Sequence, residues 1–176
     1  LKILKNFKKK PKILFTSSGA VYGTNTNKKK DIESKKIDDS SIDNFVGYKN
    51  KYAKEKVFLE KRFKDLAQKN YKVSIARCYT FIGKNIIHYN YAISDLINAA
   101  NNKTKIILNS NIDVFRSYMH SDDLSKWLIT ILKNSNTKCP IYNVGSDKVI
   151  NLKDLTKKIG IMSNKEISVK IKKSKK

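Results

Sequence analysis

The stretch FTSSGAVYG, Phe15–Gly23, ends an apolar run on two serines and then places Tyr22 between a valine and a glycine. The residues before the serines predict a short buried strand over Lys12–Thr16, followed by a turn that carries hydroxyl groups. Open α/β sheets bind ligands at the carboxyl ends of their strands, so serines at such an end are candidates for chemistry. The same pattern also fits a plain turn.

Downstream of this stretch, the hydrophobic pattern alternates between the periods of strands and helices. The predicted strands are Val73–Tyr79, Thr104–Asn109, Ile141–Gly145 and Glu166–Lys172. The predicted helices are Lys51–Gln68, Tyr91–Ala100, a helix at Ser121, and Asn151–Gly160. Strands that alternate with helices in this way predict an α/β fold with a parallel sheet.

The helix at Ser121 has the clearest sequence signals. Ser121 is its predicted N-cap, and Asp122 and Asp123 follow in the first turn, where the helix dipole favours acidic side chains. The apolar stripe predicted to face the sheet consists of Leu124, Trp127, Leu128, Ile131 and Leu132. The last helix is predicted to end at Gly160.

Length and composition narrow the class of protein. The 176 residues suffice for one domain, and the apolar runs fall short of the roughly 18 residues of a membrane span. The cytoplasm is therefore the expected location. Cys78 and Cys139 are predicted to be buried, reduced thiols, because they form neither a Cys-x-x-Cys motif nor a Cys/His cluster. Because the sequence starts at Leu1, we expect a piece of a longer protein.

The formal net charge of +23 makes a basic polyanion-binding module one alternative, because lysines that neutralise phosphates release counterions. Recognition surfaces favour arginine, however, and this sequence has arginine only at Arg62, Arg77 and Arg116. The lysines are spread along the whole chain. We therefore expect solvated basic faces and no specific nucleic-acid partner.

A tyrosine and a lysine stand four residues apart in YAKEK, at the start of the first predicted helix. This spacing puts Tyr52 and Lys56 on one helical face. A phenol with an ordinary pKa of about 10 acts as a base at neutral pH only when its anion is stabilised, which a nearby ammonium does. Ser18 is then placed to hold a substrate oxygen while Tyr52 moves its proton. In a chain so rich in lysine and tyrosine, the same spacing also arises by chance.

Five short motifs resemble, in order, those of one family. They are SSGAVYG, YAKEKVFLE, RCYTFIG, RSYMHSDDL and YNVG. Together they resemble the extended short-chain dehydrogenase/reductase family, and within it the nucleotide-sugar epimerases, dehydratases and ketoreductases. The resemblance extends from Lys12 to about Gly160.

The family resemblance implies a fold and its division along the chain. Residues 1–83 are implied to be the carboxyl-terminal part of a Rossmann-like parallel sheet, without its amino-terminal cofactor-binding part and with the catalytic residues. Residues 84–176 are implied to be mainly a small substrate-binding region, with segments that return to the Rossmann-like core.

The resemblance also implies roles for single residues. The implied catalytic residues are Ser18, Tyr52 and Lys56. The implied contacts to NAD or NADP come from Ser17, Tyr52, Lys56, Tyr79 and Thr80, with Lys56 on the cofactor's ribose. The implied substrate contacts come from Ser18 and Arg116, and no metal is implied. A surface arginine is the plain alternative for Arg116, whereas His120 and Asp123 are expected to pack and cap their helix.

Three departures from the family pattern qualify these roles. The family's dehydratases carry an Asp-Glu pair directly after the catalytic threonine, where this chain has Gly19 and Ala20, so a 4,6-dehydratase is not expected. A lysine-rich insertion around residues 28–36 lengthens the interval between Ser18 and Tyr52. None of the six glycines forms the glycine-rich dinucleotide fingerprint of such sheets.

The implied activity is NAD(P)-dependent modification of a nucleotide sugar at C4, by an epimerase or a ketoreductase. Tyr52 would take the hydroxyl proton while the cofactor takes the hydride. The expected partner is the nucleotide-sugar substrate, with a homodimer as the candidate assembly and with no membrane. An inactive remnant of such an enzyme and the polyanion-binding module are the alternatives.

Overall fold

The computed structural model describes residues 2–22, 30–32, 48–84, 91–102, 105–109 and 113–170. Its strands are β1 (Lys12–Ser18), β2 (Lys30–Ile32), β3 (Lys72–Cys78), β4 (Phe81–Ile82), β5 (Ile106–Asn109), β6 (Asp113–Ser117), β7 (Met119–His120), β8 (Ile141–Val144), β9 (Val149–Asn151) and β10 (Ile167–Lys170). Its α-helices are α1 (Tyr48–Gln68), α2 (Ala92–Asn101), α3 (Ser121–Lys133) and α4 (Leu152–Ser163). Two 3-10 helices cover Lys2–Asn6 and Gly19–Tyr22.

Three parallel strands form the central sheet, in the order β1-β3-β8. Ser18 pairs with Cys78, and Cys78 pairs with Val144, so the carboxyl ends of all three strands meet at one edge. β1 continues through both serines, beyond its predicted end, and the chain turns only at Gly19. The predicted α/β fold with a parallel sheet is confirmed, and Ser18 ends the first strand as expected, although the strand runs two residues past Thr16.

Helices α1 and α3 cover opposite faces of this sheet. Ile13 and Phe15 of β1 pack in the cluster that includes α1, whereas Leu14 packs in the cluster that includes α3, because successive side chains of a strand point to opposite faces. The rings of Phe15 and Phe63 stack with their centroids 4.5 Å apart. Burial on both faces explains why the run before the serines is apolar without interruption.

The remaining strands form three smaller sheets. They are the mixed sheet β2-β6-β9, the parallel pair β5-β10 and the parallel pair β4-β7. Helices α2 and α4 enclose a second apolar cluster, in which Leu96 and Leu152 pack on the fully buried Ile106. The lysine-rich insertion around 28–36 lies outside the described residues except for its contribution to β2.

Helix α3 begins where expected, but its N-cap and its buried stripe differ from the prediction. His120 is the N-cap, and its Nδ1 atom accepts a hydrogen bond of 3.3 Å from the backbone N–H of Asp122. Ser121 is the first helical residue instead. Trp127 is 54% exposed, whereas Leu124 and Ile131 of the predicted stripe are buried.

Two other helices end or pack differently from their predictions. Helix α4 continues past Gly160 to Ser163 and ends at Asn164, which adopts the left-handed conformation with φ of 52°. Asparagine tolerates this conformation and so replaces glycine as the terminating residue. Along α1, the apolar residues Val57, Leu59, Phe63 and Leu66 recur at roughly helical spacing, yet Leu59 is exposed whereas Leu66 is buried.

Five short strands were not predicted, namely β2, β4, β6, β7 and β9, which have two to five residues each. A strand of that length shows too few alternations for its period to be recognised. Cys139 is buried and Cys78 is half-buried, and both are free thiols. Each helix among the described residues is too short or too polar to cross a membrane.

Replacing Ile75 by alanine should test the central core. Ile75 lies on β3 and is fully buried, so Ile75→Ala should lower the free energy of unfolding by about 2 to 5 kcal/mol. The control is Ile129→Ala on α3, where the side chain is 55% exposed. Denaturant unfolding followed by circular dichroism measures both, and equal effects would contradict the assignment of Ile75 to the core.

Candidate active site

The first site residue lies at the carboxyl end of β1. Ser18 is the last residue of the strand and is half-buried. Its Oγ atom accepts a hydrogen bond of 3.1 Å from the backbone N–H of Ala20, in the 3-10 helix that follows. This contact fixes the hydroxyl at the sheet edge where parallel α/β folds bind their ligands.

Helix α1 brings Tyr52 and Lys56 to the same edge. The ammonium of Lys56 donates a hydrogen bond of 3.0 Å to the carbonyl of Thr16, two residues before Ser18. The same ammonium lies 5.6 Å from the centre of the Tyr52 ring, and the tyrosine is 45% exposed. The structure thus holds a positive charge beside the ring of an accessible phenol.

A buried ion pair lies one helical turn beyond Lys56. Glu60 is 2% exposed and accepts hydrogen bonds from the Nη2 and Nε atoms of Arg77, at 2.6 and 2.9 Å. Its Oε1 atom also accepts a hydrogen bond of 2.6 Å from the hydroxyl of Ser17. The two-pronged contact to arginine and the additional donor satisfy the buried carboxylate, as burial of a charge requires.

The ion pair continues into a polar network that reaches β8. Nη1 of Arg77 donates to the Tyr22 hydroxyl at 3.1 Å, and that hydroxyl donates to Oδ1 of Asn143 at 2.6 Å. The hydrogen bond to Glu60 raises the guanidinium pKa of Arg77 further above its already high ordinary value. The network therefore links α1, all three strands of the central sheet and the turn after Ser18.

Sequence reasoning gave this network no role. Ser17 was assigned to the cofactor by resemblance. The residue is 5% exposed and donates its hydroxyl to Glu60, and a cofactor contact from Ser17 stays a prediction. The available signals were a glutamate four residues after Lys56, on the same helical face, and an arginine inside the apolar strand β3.

Tyr79 fills a narrow slot between two glycines. A Cβ atom at Gly19 would overlap its ring, and one at Gly145 would lie 2.6 Å from its Cδ2 atom. Gly19 follows β1 and Gly145 follows β8, so the ring spans the carboxyl ends of the outer strands. The backbone N–H of Tyr79 also donates a hydrogen bond of 2.8 Å to the carbonyl of Val144. Glycine is required at both positions because the ring leaves no room for a side chain.

The other predicted site residues lie around this edge or on a different sheet. The carbonyl of Thr80 accepts a hydrogen bond of 3.1 Å from the backbone N–H of Met119. Arg116 is half-buried on β6, which belongs to the mixed sheet, and its Nη1 atom donates to the Phe115 carbonyl at 2.8 Å. His120 caps α3 as expected, and Asp123 lies in the first turn of that helix.

Two further features bear on the chemistry of the site. Burial raises the pKa of the Cys78 thiol, and the positive charge of Lys56 partly opposes that rise. The raised pKa keeps this thiol protonated at neutral pH and makes it a poor nucleophile. Across the described ranges, no group of three His, Cys, Asp or Glu side chains could hold a metal ion.

Comparison with known proteins identifies the family. Residues 1–145 match the NAD dependent epimerase/dehydratase family. The chain belongs to this family. The resemblance carried by the five motifs is thus confirmed, and so is the expected cofactor class, because the family is NAD-dependent. No curated protein matches the sequence.

Solved structures of this group share the fold at low sequence identity. A putative epimerase from Burkholderia cenocepacia J2315 has a TM-score of 0.72 and 21% identity, over 97% of this chain and 52% of that one. RMD from Pseudomonas aeruginosa, complexed with NADPH, has a TM-score of 0.68 and 17% identity, over 98% and 55%. UDP-N-acetylglucosamine 4-epimerase from Methanobrevibacter ruminantium M1 has a TM-score of 0.68 and 19% identity, over 93% and 51%. The chain spans about half the length of these proteins.

Because the Tyr79 ring fills the space beside Gly19, the effect of a substitution at Gly19 on the free energy of unfolding should depend on the residue at position 79. Gly19→Ala should cost about 1 to 3 kcal/mol of unfolding free energy, because Gly145 on the other side keeps the ring from moving away. In a Tyr79→Ala background, the same substitution should cost less than about 0.5 kcal/mol.

A matched background controls for general destabilisation. Phe58→Ala removes an aromatic ring from α1 that is 61% exposed, and there Gly19→Ala should cost as much as in the parent protein. Denaturant unfolding of the six proteins gives the coupling energy. A cost of Gly19→Ala that is the same in all three backgrounds would contradict the slot.

Proposed function

We propose that this chain carries the catalytic residues of an NAD(P)-dependent enzyme that modifies a nucleotide sugar at C4, as an epimerase or a ketoreductase. In this proposal a dinucleotide-binding half completes the protein, which works in the cytoplasm. Family membership supports the class of enzyme. The observation that carries the choice of residues is the Lys56 ammonium, held beside the Tyr52 ring and bound to β1 close to Ser18.

Ser18, Tyr52 and Lys56 have separate roles in the proposed acid–base chemistry. Ser18 donates a hydrogen bond from its hydroxyl to the substrate oxygen at C4 and orients that oxygen toward Tyr52. Tyr52 removes the proton of the C4 hydroxyl and returns it after the hydride step. Lys56 stabilises the tyrosinate by its charge. Arg116, on the neighbouring sheet, binds the diphosphate of the nucleotide with its fork of donors.

The residues of this edge fit the nicotinamide end of a dinucleotide. Lys56 donates one of its three N–H groups to the Thr16 carbonyl, which leaves two for ribose hydroxyls. Tyr79 and Thr80, which follow β3, would lie along the nicotinamide. When bound, the nicotinamide would supply hydride chemistry at C4.

The slot around Tyr79 favours an epimerase or a ketoreductase over a dehydratase. Loss of water requires acid and base groups in addition to those that serve hydride transfer. At Gly19, directly after Ser18, the ring of Tyr79 excludes any side chain. The neighbouring residue Ala20 has no titratable group. Neither position can therefore supply the second acid–base pair.

The chain alone should bind NAD weakly or not at all. The pyrophosphate of a dinucleotide is held by a glycine-rich turn at a helix N-terminus, and the six glycines of this chain form no such fingerprint. Isothermal titration calorimetry of the 176-residue chain should detect no binding at micromolar NAD. The positive control is the same chain joined to a dinucleotide-binding half, and micromolar affinity in the chain alone would contradict the proposed division.

Replacing Tyr52 by phenylalanine should test the proposed base in the completed enzyme, which is this chain joined to a dinucleotide-binding half. Tyr52→Phe removes the proton-transferring hydroxyl and should lower kcat by about 100-fold or more, with little change in KM. Lys56→Met removes the ammonium that lies beside the Tyr52 ring and should also lower kcat.

The matched control is Tyr48→Phe in the same helix. Tyr48 has Tyr52 rather than a lysine four residues later, so its replacement should leave kcat within about twofold of the parent. Steady-state kinetics with a nucleotide sugar measures all three variants. Near-normal turnover in Tyr52→Phe would show that the Tyr52–Lys56 spacing is a chance pair and would remove the support for Ser18.

A further inference from the structure

Helix α1 holds two consecutive residues of β1 with two side chains one helical turn apart. Lys56 donates to the carbonyl of Thr16 at 3.0 Å, and Glu60 accepts from the hydroxyl of Ser17 at 2.6 Å. Two contacts at neighbouring points on both elements fix the rotation of the helix and its translation along the strand. Ser18 is the next residue of β1, so its position relative to the helix depends on these contacts.

Glu60 is itself held rigidly. Three donors of Arg77 and Ser17 converge on its carboxylate, at 2.6, 2.9 and 2.6 Å, and the carboxylate is almost completely buried. Arg77 lies on β3, the strand that pairs with β1. The helix is therefore tied through Glu60 to two adjacent strands, whereas Lys56 ties it to one.

We propose that Glu60 and Ser17 are positioning residues that set the Ser18 hydroxyl against Tyr52 and Lys56. Glu60 acts through the hydroxyl of Ser17 and, through Arg77, on the hydroxyl of Tyr22, which ends the turn after Ser18. The catalytic part of this inference rests on the proposed function. Such a role affects the reaction rate strongly, because a misplacement of about 1 Å between reacting groups lowers the rate by about 100-fold.

Hydrogen exchange at Ala20 reports the position of Ser18 without any need for activity. The backbone N–H of Ala20 donates to Oγ of Ser18, so its protection falls when that hydroxyl moves. In the 176-residue chain, Ser17→Ala and Glu60→Gln should each speed exchange at Ala20 by about tenfold or more. Nuclear magnetic resonance of the assigned amide measures it.

Each variant has a matched control elsewhere in the chain. Ser74→Ala removes the hydroxyl of a fully buried serine on β3, for which the described residues offer no hydrogen-bond partner. Glu166→Gln alters a carboxylate whose ion pair with Lys105 is exposed on both sides, and such pairs contribute little. Both controls should leave exchange at Ala20 within about twofold of the parent.

Kinetics of the completed enzyme gives the second readout. Ser17→Ala and Glu60→Gln should lower kcat by about tenfold or more while the KM values for NAD and for the sugar stay within about twofold. A raised KM for NAD in Ser17→Ala, with Glu60→Gln at full kcat, would assign Ser17 to the cofactor and overturn the proposal. Equal losses of kcat in Ser17→Ala and Ser74→Ala would also overturn it.

The two readouts separate this proposal from the proposed function. Unchanged exchange at Ala20 in both Ser17→Ala and Glu60→Gln overturns the positioning role, even in an active enzyme. Faster exchange in both, with unchanged controls, supports it. A parent enzyme without turnover on nucleotide sugars contradicts the proposed function, and the exchange rates still decide whether Glu60 sets the position of Ser18. If Glu60→Gln does not fold, Ser17→Ala decides alone.

Discussion

The ion pair between Glu60 and Arg77 is the constraint on which the candidate site depends. Both charges are withdrawn from water between α1 and the central sheet, so each is stable there only while the other is in place. Removing one partner of such a pair typically costs about 3 to 5 kcal/mol, because the remaining charge is left buried and unpaired. The pair therefore admits one arrangement of helix and strands, and the hydroxyls of Ser17 and Tyr22 are held in that arrangement.

The positive surface charge contrasts with this buried pair. At a net charge of +23, the like charges of the folded chain repel one another. Salt at physiological concentration screens this repulsion over distances of about 8 Å. Lys51, Lys54 and Lys61 of α1 are exposed to solvent, whereas Lys56 is half-buried and bonded to β1. These three lysines are thus hydrated, and the one beside Tyr52 differs from them in its surroundings.

Long elements were predictable from the sequence because their periods are repeated several times. The stretches of α1 and α3 show that repetition, whereas β1 and β3 are recognised from short, mostly apolar runs. A helix places residues four apart on one face whatever the rest of the fold, so the proximity of Tyr52 and Lys56 was predictable. The different hydrogen-bond partners of the Ser17 and Ser18 hydroxyls were not predictable. They depend on where β1 ends, because each step along a strand reverses the direction of the side chain.

Contacts between distant parts of the chain explain the remaining differences. The pairing of Glu60 with Arg77 and of Tyr22 with Asn143 depends on the order of the strands, which single-sequence patterns do not give. The exposure of Trp127 follows from the exact rotation of α3 on the sheet. The short strands of the mixed sheet form only because neighbouring strands pair with them.

The slot that holds Tyr79 has a consequence for how this sequence can change over generations. Gly19, Tyr79 and Gly145 come from three distant segments, and the ring leaves neither glycine room for a side chain. Natural proteins are only slightly more stable than they need to be. A lineage in which either glycine is replaced first therefore loses stability, and less of its protein is folded. The order of substitutions that avoids this loss begins with a smaller residue at position 79, and new side chains at position 19 or 145 follow. The present combination is therefore an epistatic block, and an acidic group at position 19 is better tolerated once the tyrosine has been replaced.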